Sequence, residues 1–284
     1  MGLILDEDFE GQTRFGVRVT RSLHHEQSEF QSIDIVDTQA FGRVLALDGV
    51  FQTSEGDEHY YHEMLVHPAM LSVPDPRRVL VVGGGDGGSV REVLRHPCVE
   101  HVTMCELDEA VVRACQQHLT SFGVPWDDPR LTLRFQDGVT FLDQCQPGAF
   151  DVILVDGPDP VGPAAGLFES PFYTACKSRL APQGVLAVQS ESPYMMREAF
   201  LRIVKTLRSV FTHATPYYAP VPIYMSGYWS FTFATEQRDP LNIDAERAAA
   251  IMEGCRYLNA DMYRSAFAQP TDVLRALAED ADTK

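Results

Sequence analysis

The sequence is poor in positive charge. Lysine and arginine total 23 against 40 aspartates and glutamates, so the formal net charge is −17, and no lysine occurs between Met1 and Leu167. Such a surface repels nucleic acid and anionic membranes and attracts cations. An acidic surface also serves solubility alone. We therefore expect no nucleic-acid or membrane partner.

Long apolar runs and cysteine pairs are also missing. No stretch approaches the roughly 18 apolar residues that a membrane-spanning helix needs. The first ten residues lack the basic and apolar segments of a signal peptide. The six cysteines form no CxxC pair and lie mostly in apolar helix or strand patterns. These features predict a cytoplasmic protein with reduced cysteines.

Several catalytic motifs are absent. The sequence contains neither the GxxxxGK[ST] phosphate loop nor the GxSxG nucleophile elbow, and no cysteine lies beside a predicted base. The segment His62–His67 has the pattern HExxxH, which differs from the HExxH of zinc enzymes. Its two histidines lie about 140° apart around a helix. We therefore expect no structural or catalytic zinc at this segment and no covalent catalysis.

The chain divides by its patterns into three parts. Residues 1–56 alternate in polarity and contain the hairpin signal Asp48-Gly49, which predicts a small antiparallel β-domain. Residues 57–76 predict a connecting helix, with Tyr61 and Met64 on its apolar face, and a proline-rich linker. Residues 77–284 predict the catalytic domain. The predicted N-terminal strands are 15–20, 31–38, 41–47 and 50–53.

Strands and helices alternate from residue 78 onward. That alternation predicts a Rossmann-like, doubly wound α/β sheet of the methyltransferase-like type. A final antiparallel hairpin and two C-terminal helices, 244–258 and 270–278, complete the prediction. The predicted strands are 79–82, 101–106, 131–135, 150–155, 184–190, 212–218 and 228–235. The predicted helices between them are 89–96, 109–119, 139–144, 170–180 and 197–211.

The stretch Val79–Glu106 has the layout of a nucleoside site. A buried strand leads into the glycine-rich turn 83–88, and a helix and a second strand ending in Glu106 follow. Glycines allow the backbone to approach a ligand, and a carboxylate about 20 residues on accepts the ribose hydroxyls. Asp86 lies in the turn, where it would repel a phosphate or a carboxylate. An ammonium suits it, and it can also cap the following helix.

Acids follow the ends of the predicted parallel strands, which meet at one edge of the sheet. Clustered carboxylates repel each other unless a cation lies between them, so the site is expected to bind a metal or an organic cation. Asp137-Gly138 is placed to contact an adenine edge. The sequence thus predicts a sulfonium nucleoside whose tail is a bare amine. The acids are Asp86, Glu106, Asp137, Asp156, Asp159 and Glu191.

The segment 156–163, DGPDPVGP, predicts a loop that closes over a ligand. Asp156 and Asp159 are placed to hold a cationic substrate and take its proton, because an ammonium has no lone pair with which to attack. The alternative is a rigid turn carrying two solvated acids.

With these residues assembled, the chain resembles the spermidine synthase family, the polyamine aminopropyltransferases. The motifs that carry the resemblance are LDGVFQTSEGDEHYYHEM, VLVVGGGDGGSVREVLRHP, CELDE, the pair at 137–138 and DGPDPVGPAAGLF. The resemblance implies transfer of the aminopropyl group of decarboxylated S-adenosylmethionine to a primary amine, with putrescine as the expected acceptor. The products would be spermidine and methylthioadenosine, and the enzyme would be a homodimer or homotetramer.

The resemblance also implies residue roles. Asp156 would be the general base. The nucleoside would contact Gln31, Asp86, Glu106, Asp137, Gly138 and Pro163. The amine would contact Tyr61, His62, Asp86, Asp159 and Tyr224.

Four residues depart from the family pattern around the predicted amine groove: Tyr60, Gly157, Pro158 and Ile223. They leave open a longer acceptor such as spermidine, agmatine or cadaverine. Two other functions also remain open, an S-adenosylmethionine-dependent methyltransferase and a non-catalytic polyamine-binding protein. Fold alone does not separate these from aminopropyl transfer.

Overall fold

The computed structural model describes residues 3–9, 11–160 and 162–278. The first five strands form one antiparallel sheet in chain order. Asp48 and Gly49 both have positive φ, 49° and 81°, which is the backbone that a tight hairpin requires and confirms the predicted turn. The strands are β1 (Ile4–Phe9), β2 (Thr13–Gln27), β3 (Ser32–Thr38), β4 (Gly42–Leu47) and β5 (Val50–Ser54).

A seven-stranded sheet follows in the order β11-β12-β10-β9-β6-β7-β8. Five strands run parallel, and the β11–β12 hairpin pairs antiparallel with β10 at one side. This confirms the predicted doubly wound α/β fold. The strands are β6 (Arg78–Gly83), β7 (His101–Glu106), β8 (Leu131–Phe135), β9 (Phe150–Asp156), β10 (Leu180–Gln189), β11 (His213–Pro220) and β12 (Tyr228–Thr235).

The strand order reverses at β6, which pairs with β7 on one side and with β9 on the other. The next strands in the chain, β7 and β8, lie on one side of β6, whereas the later strands β9 and β10 lie on its other side. In open α/β sheets such a switch opens a crevice beyond the carboxyl ends of the strands. The topology therefore places the ends of β6, β7 and β9 around one cleft.

Helices cover both faces of this sheet. One C-terminal prediction was wrong, because the helix predicted over 244–258 ends at Met252 and a separate helix starts after Asn259, whose side chain caps it. The helices are α1 (Glu58–Ser72), α2 (Gly88–Leu94), α3 (Glu109–His118), α4 (Gly138–Gln144), α5 (Ser170–Arg179), α6 (Arg197–Val210), α7 (Ala245–Met252), α8 (Ala260–Ala266) and α9 (Thr271–Ala278).

The N-terminal sheet packs against the edge of the larger unit. Ile33, Ile35 and Leu45 form an apolar cluster with residues of α3, among them Val111. This packing holds the N-terminal sheet beside the switch point, so both sheets contribute to the cleft.

Helix α1 is buried on nearly every side, whereas the sequence predicted a single apolar face. It packs against α2 and lies across β9 and β10. Its buried acids therefore need partners inside the protein. Glu63 accepts hydrogen bonds from the backbone N–H groups of Arg256, Tyr257 and Leu258.

Two further observations bear on the sequence predictions. All six cysteines are free thiols. Among the described residues, no helix is both long and apolar enough to cross a membrane.

Candidate active site

A cavity of about 270 Å³ lies at the carboxyl ends of β6, β7 and β9. A second cavity of about 90 Å³ adjoins it. The two share a wall of Tyr61, Tyr224 and the segment Gly157–Asp159. This arrangement provides a larger chamber and a smaller one, joined at the start of the predicted closing loop.

The glycine turn brings the ends of β6 and β9 into contact. Gly83 has a φ of 83°, and a Cβ atom at this position would overlap the backbone carbonyl of Asp156. The Gly84 N–H donates to that same carbonyl oxygen at 2.9 Å. Glycine at position 83 therefore sets the close approach of the turn to Asp156.

Asp86 faces the larger cavity and is tied to α1 and α2. Its Oδ1 accepts the Gly88 N–H at 2.7 Å and lies 3.3 Å from His62 Nε2. Burial raises the pKa of Asp86, but the neighbouring His62 more than offsets this effect, and the net shift is downward. Asp86 thus combines a cap at the start of α2 with an anionic group at the cavity wall.

Glu106 and Gln31 lie together on another wall of the larger cavity. Glu106 Oε1 accepts the Asp108 N–H at 3.0 Å, and Gln31 Nε2 donates to Asp108 Oδ2 at 3.1 Å. Burial raises the pKa of Glu106 to about 7. Glu106 lies at the end of β7, where a carboxylate can accept two ribose hydroxyls.

Asp137 and Gly138 also line the larger cavity, at the start of α4. Asp137 Oδ2 accepts both the N–H and the hydroxyl of Thr140 at 2.8 Å, so this carboxylate also caps the helix. The side chain of Pro163 lies outside the described part of the structure, so its predicted nucleoside contact stays a prediction.

Asp156 lines the larger cavity, and the next residue, Gly157, lines both cavities. Asp156 Oδ2 accepts the Ser89 hydroxyl at 2.6 Å. Burial and the negative charge of Asp86 raise the pKa of Asp156, whereas His62, Ser89 and Tyr61 lower it, and the net shift is upward. A buried carboxylate with a raised pKa is suited to accept a proton near neutral pH.

The smaller cavity has an acidic lining. Asp159 lies on its wall, and burial raises the pKa of this carboxyl group. Burial also raises the pKa of Glu7 to about 7, and Asp159 adds to this shift. Glu191 lies behind Gln189 with a pKa of about 8, raised by burial and then by Asp159. These groups favour a cation as the occupant.

Glu7 was missed by the sequence analysis. It lies in β1, whose run ILDEDF lacks a clean alternation, so no strand was predicted there. Its carboxylate accepts the Phe51 N–H and faces the smaller cavity. Glu191 was noted at a strand end, which is the signal that could have marked it as a site residue.

The predicted aromatic residues take different positions. Tyr61 and Tyr224 line both cavities, and the Tyr224 hydroxyl donates to the Gln52 carbonyl at 2.8 Å. His62 lines neither, since its ring is 1% exposed and lies between Glu58 and Asp86. His62 can therefore affect a ligand in these cavities through its contact with Asp86.

The sequence predicted that four residues that depart from the family pattern would surround the amine groove. This prediction was wrong for two of them, Tyr60 and Ile223. Ile223 is fully buried in the main apolar core, and Tyr60 packs against His59 and Tyr257. Neither residue lines either of the two cavities described above. Gly157 and Pro158 line both cavities.

No cluster suited to a metal ion occurs among the residues that the structure describes. The two histidines of the HExxxH segment point to different partners. His62 contacts Glu58 and Asp86, whereas His67 contacts His96 and Glu92.

Comparison with known families finds two adjoining matches. Residues 58–244 match the spermine/spermidine synthase domain, and residues 6–55 match the spermidine synthase tetramerisation domain. Together the two matches include every predicted site residue.

Individual relatives match over nearly their whole length. A polyamine aminopropyltransferase of Prochlorococcus marinus (strain MIT 9313) is 44% identical over 268 residues, which cover 93% of this chain and 92% of that protein. One of Halorhodospira halophila (strain DSM 244 / SL1) is 43% identical over 258 residues, covering 90% and 93%.

Solved structures agree with these relatives. A spermidine synthase in complex with the transition-state analogue AdoDATO has a TM-score of 0.94 and 35% identity, covering 98% of this chain and 95% of that chain. The spermidine synthase of Thermotoga maritima has a TM-score of 0.93 and 35% identity, covering 98% and 94%.

Proposed function

Because this chain belongs to the spermidine synthase family and is a polyamine aminopropyltransferase, we propose that it uses decarboxylated S-adenosylmethionine and, as acceptor, putrescine. The observation that carries the proposal is that two buried aspartates of the larger cavity have pKa values shifted in opposite directions, downward for Asp86 and upward for Asp156, which adjoins the segment shared with the smaller cavity. The products are spermidine and methylthioadenosine.

The larger cavity holds the donor in this proposal. Glu106 accepts the ribose hydroxyls, Gln31 lies beside it, and Asp137 with Gly138 contacts the adenine. Asp86 binds the ammonium of the aminopropyl tail. A donor that kept its α-carboxylate would place a second negative charge near Asp86 and would be repelled. We keep Pro163 as a further contact to the nucleoside.

The acceptor enters from the smaller cavity. Its far ammonium faces Asp159, with Glu7 and Glu191 nearby, and Tyr61 and Tyr224 flank its chain. Its near amine lies at Asp156. His62 contributes from behind Asp86. The acidic lining supports a diamine over a monoamine, since only a diamine brings a second positive charge to this end.

The reaction needs one proton transfer and one displacement. Asp156 takes a proton from the near ammonium of the acceptor, which frees its lone pair. The nitrogen then attacks the propyl carbon bonded to sulfur, and the new C–N bond forms as the C–S bond breaks. The electron pair of the broken bond stays on sulfur, which leaves as a neutral thioether. Binding supplies orientation and excludes water from the reacting centre.

A panel of acceptors tests the choice of amine. The purified chain would receive decarboxylated S-adenosylmethionine with putrescine, cadaverine, agmatine, 1,3-diaminopropane or spermidine, and products would be identified by mass. We expect the highest kcat/KM with putrescine and one methylthioadenosine for each spermidine. A higher kcat/KM with cadaverine, agmatine or spermidine would contradict putrescine as the acceptor, whereas no methylthioadenosine with any amine would contradict the transfer itself.

We also propose a homo-oligomer, either a dimer or a tetramer. The match of residues 6–55 to a tetramerisation domain supports this assembly. The proposed division of the chain at about residue 56 assigns assembly to the N-terminal sheet and chemistry to residues 77–284, with 57–76 as the connection. Light scattering would measure whether the particle has two or four times the chain mass of 31.7 kDa.

A further inference from the structure

A line of buried charged side chains runs behind Asp86, away from both cavities. His62 Nε2 lies 3.3 Å from Asp86 Oδ1, and His62 Nδ1 lies 2.7 Å from Glu58 Oε2. Arg91 then donates to Glu58 Oε2 at 2.7 Å. His62 is 1% exposed and Glu58 is 6% exposed. Neither Glu58 nor Arg91 lines either of the two cavities, and the proposed reaction uses neither directly.

We propose that Glu58, held by Arg91, is a positioning residue that keeps the His62 ring fixed and doubly protonated, so that Asp86 faces the donor ammonium as an anion. This inference rests on the proposed function, because it assumes that Asp86 binds that ammonium.

The hydrogen-bonding capacity of the His62 ring favours its doubly protonated form. A neutral imidazole carries one N–H group, so it can donate to only one of two carboxylates. Both ring nitrogens of His62 face carboxylate oxygens, Asp86 on one side and Glu58 on the other. A neutral ring would leave one nitrogen lone pair against a carboxylate, with almost no access for water. The doubly protonated ring satisfies both contacts.

The balance of buried charge also favours the doubly protonated ring. One imidazolium between two carboxylates leaves one uncompensated negative charge, which is costly in the interior. Arg91 supplies the missing positive charge at Glu58, and it also donates to Glu92 at 2.7 Å. Burial raises the pKa of Glu58, but His62 and Arg91 outweigh this effect and bring it down to about 2.

Other charged groups face this line from neighbouring elements. Asp57 precedes α1 and adds negative charge near His62, and Asp156 lies across the cavity at the end of β9. Arg256 lies 4.0 Å from Glu58 on the outer side, with His59 nearby. Phe122 packs its ring against His62 and carries no charge. The two direct contacts of the imidazole with carboxylates therefore dominate its surroundings.

The arrangement predicts an effect on the catalytic base. The positive charge of His62 lowers the pKa of Asp156. If Glu58 loses its charge, one of the two carboxylates that favour the protonated ring is lost while burial still opposes it, so His62 releases its proton at a lower pH than in the wild type. Asp156 then holds its own proton to higher pH, and the acidic limb of the pH profile of kcat moves upward.

The test compares Glu58→Gln with Glu63→Gln. Both substitutions remove a buried negative charge from α1, but Glu63 accepts only backbone N–H groups of residues 256–258. For Glu58→Gln we expect the acidic midpoint of kcat to rise by about 1 pH unit, as is typical of losing one close charge, and the KM for the donor to increase. For Glu63→Gln we expect an unchanged midpoint, even if the melting temperature falls. Equal midpoints in wild type and Glu58→Gln would overturn the inference.

A resting-state measurement separates this inference from the proposed function. The nine histidines would be ¹⁵N-labelled, and the His62 signals assigned by their loss in His62→Asn. We expect both ring nitrogens to stay protonated up to pH 8.5 in the wild type and in Glu58→Asp, which keeps the charge. A neutral wild-type ring at pH 7 would overturn the inference whether or not the enzyme turns over. An inactive wild type with a protonated His62 ring would count against the function alone.

Discussion

Asp86 and Asp156 are two aspartates at the same end of the sheet, with pKa values shifted in opposite directions. Asp86 contacts the ring of His62 and the N–H of Gly88, which favour its charged form. For Asp156, burial and the charge of Asp86 favour the neutral form and outweigh the opposite effect of His62. When the pKa values of two neighbouring acids are shifted apart, one acid can stay ionised and bind a cation while the other accepts a proton.

At this scale, we expect Asp156→Asn to lower kcat by roughly 10²–10⁴-fold at neutral pH, the usual effect of losing a general base. The amide keeps the shape of the side chain but accepts no proton. Initial rates of methylthioadenosine release would measure the loss.

Asp151→Asn is the matched control for this prediction. Asp151 lies near the other end of β9, where its carboxylate accepts the backbone N–H groups of Arg77 and Arg78. We expect this variant to lose stability with little change in kcat. Turnover of Asp156→Asn within a few-fold of wild type would rule out Asp156 as the base.

At the scale of elements, α1 and the glycine turn act as one unit. The His62 ring packs directly against Gly88 at the start of α2, so helix packing sets the distance from His62 to Asp86. The contact between His62 and Gly88 thus connects the core of the domain with the proposed donor site.

We expect Gly88→Ala to reduce kcat/KM for the donor by roughly 10²-fold, the effect that a displacement of about 1 Å can have on a reacting site. A Cβ atom at this position would overlap the ring of His62, which must then move away from Asp86. Steady-state kinetics with varied donor would measure the change.

The control for this substitution is Gly166→Ala, in the short helical turn Gly162–Phe168. A Cβ atom there would lie 4.0 Å from Val139, which is an ordinary contact. We expect nearly normal kinetics from this variant. Unchanged donor kinetics in Gly88→Ala would show that the contact of the ring with the glycine does not set the position of Asp86.

Most helices and strands and the acidic edge of the sheet could be predicted, because apolar periodicity and the acids that follow strand ends are visible in short stretches of sequence. Strands His101–Glu106, Leu131–Phe135 and Tyr228–Thr235 match the prediction residue for residue. Burial on all sides of α1 could not be predicted, since periodicity assumes that one face meets solvent. The links from His62 to Glu58 and from Glu7 to the smaller cavity arise only from tertiary packing.

At the scale of the whole molecule, buried acids make stability depend on pH. Burial raises the pKa values of Glu7 and Glu106 to about 7 and that of Glu191 to about 8, from an ordinary 4.5. Between 4.5 and the raised value, the folded chain keeps a proton that the unfolded chain has released. Stability therefore falls as the pH rises through that window.

We expect the free energy of unfolding of the free enzyme to fall between pH 7 and 8.5, a range above that in which an ordinary histidine titrates. The raised pKa of His62 acts in the same direction, because the folded chain keeps an imidazolium proton that the unfolded chain releases near pH 6.5. Urea unfolding curves across this range would measure the slope.

Glu191→Gln should make that slope shallower, because the amide does not titrate. Bound donor and diamine should also reduce it, since cations stabilise the ionised acids of the cavities. Stability that stays constant or rises between pH 7 and 8.5 would contradict these assignments of buried, protonated carboxyl groups.

The central claim is that Asp86 selects a donor with an ammonium and no carboxylate. Calorimetric titration of the purified chain with decarboxylated and with ordinary S-adenosylmethionine tests it most directly. We predict that the decarboxylated form binds at least about tenfold more tightly, since one extra charge at a buried site costs more than about 1.4 kcal/mol. Equal or tighter binding of ordinary S-adenosylmethionine would contradict the account and favour a methyltransferase.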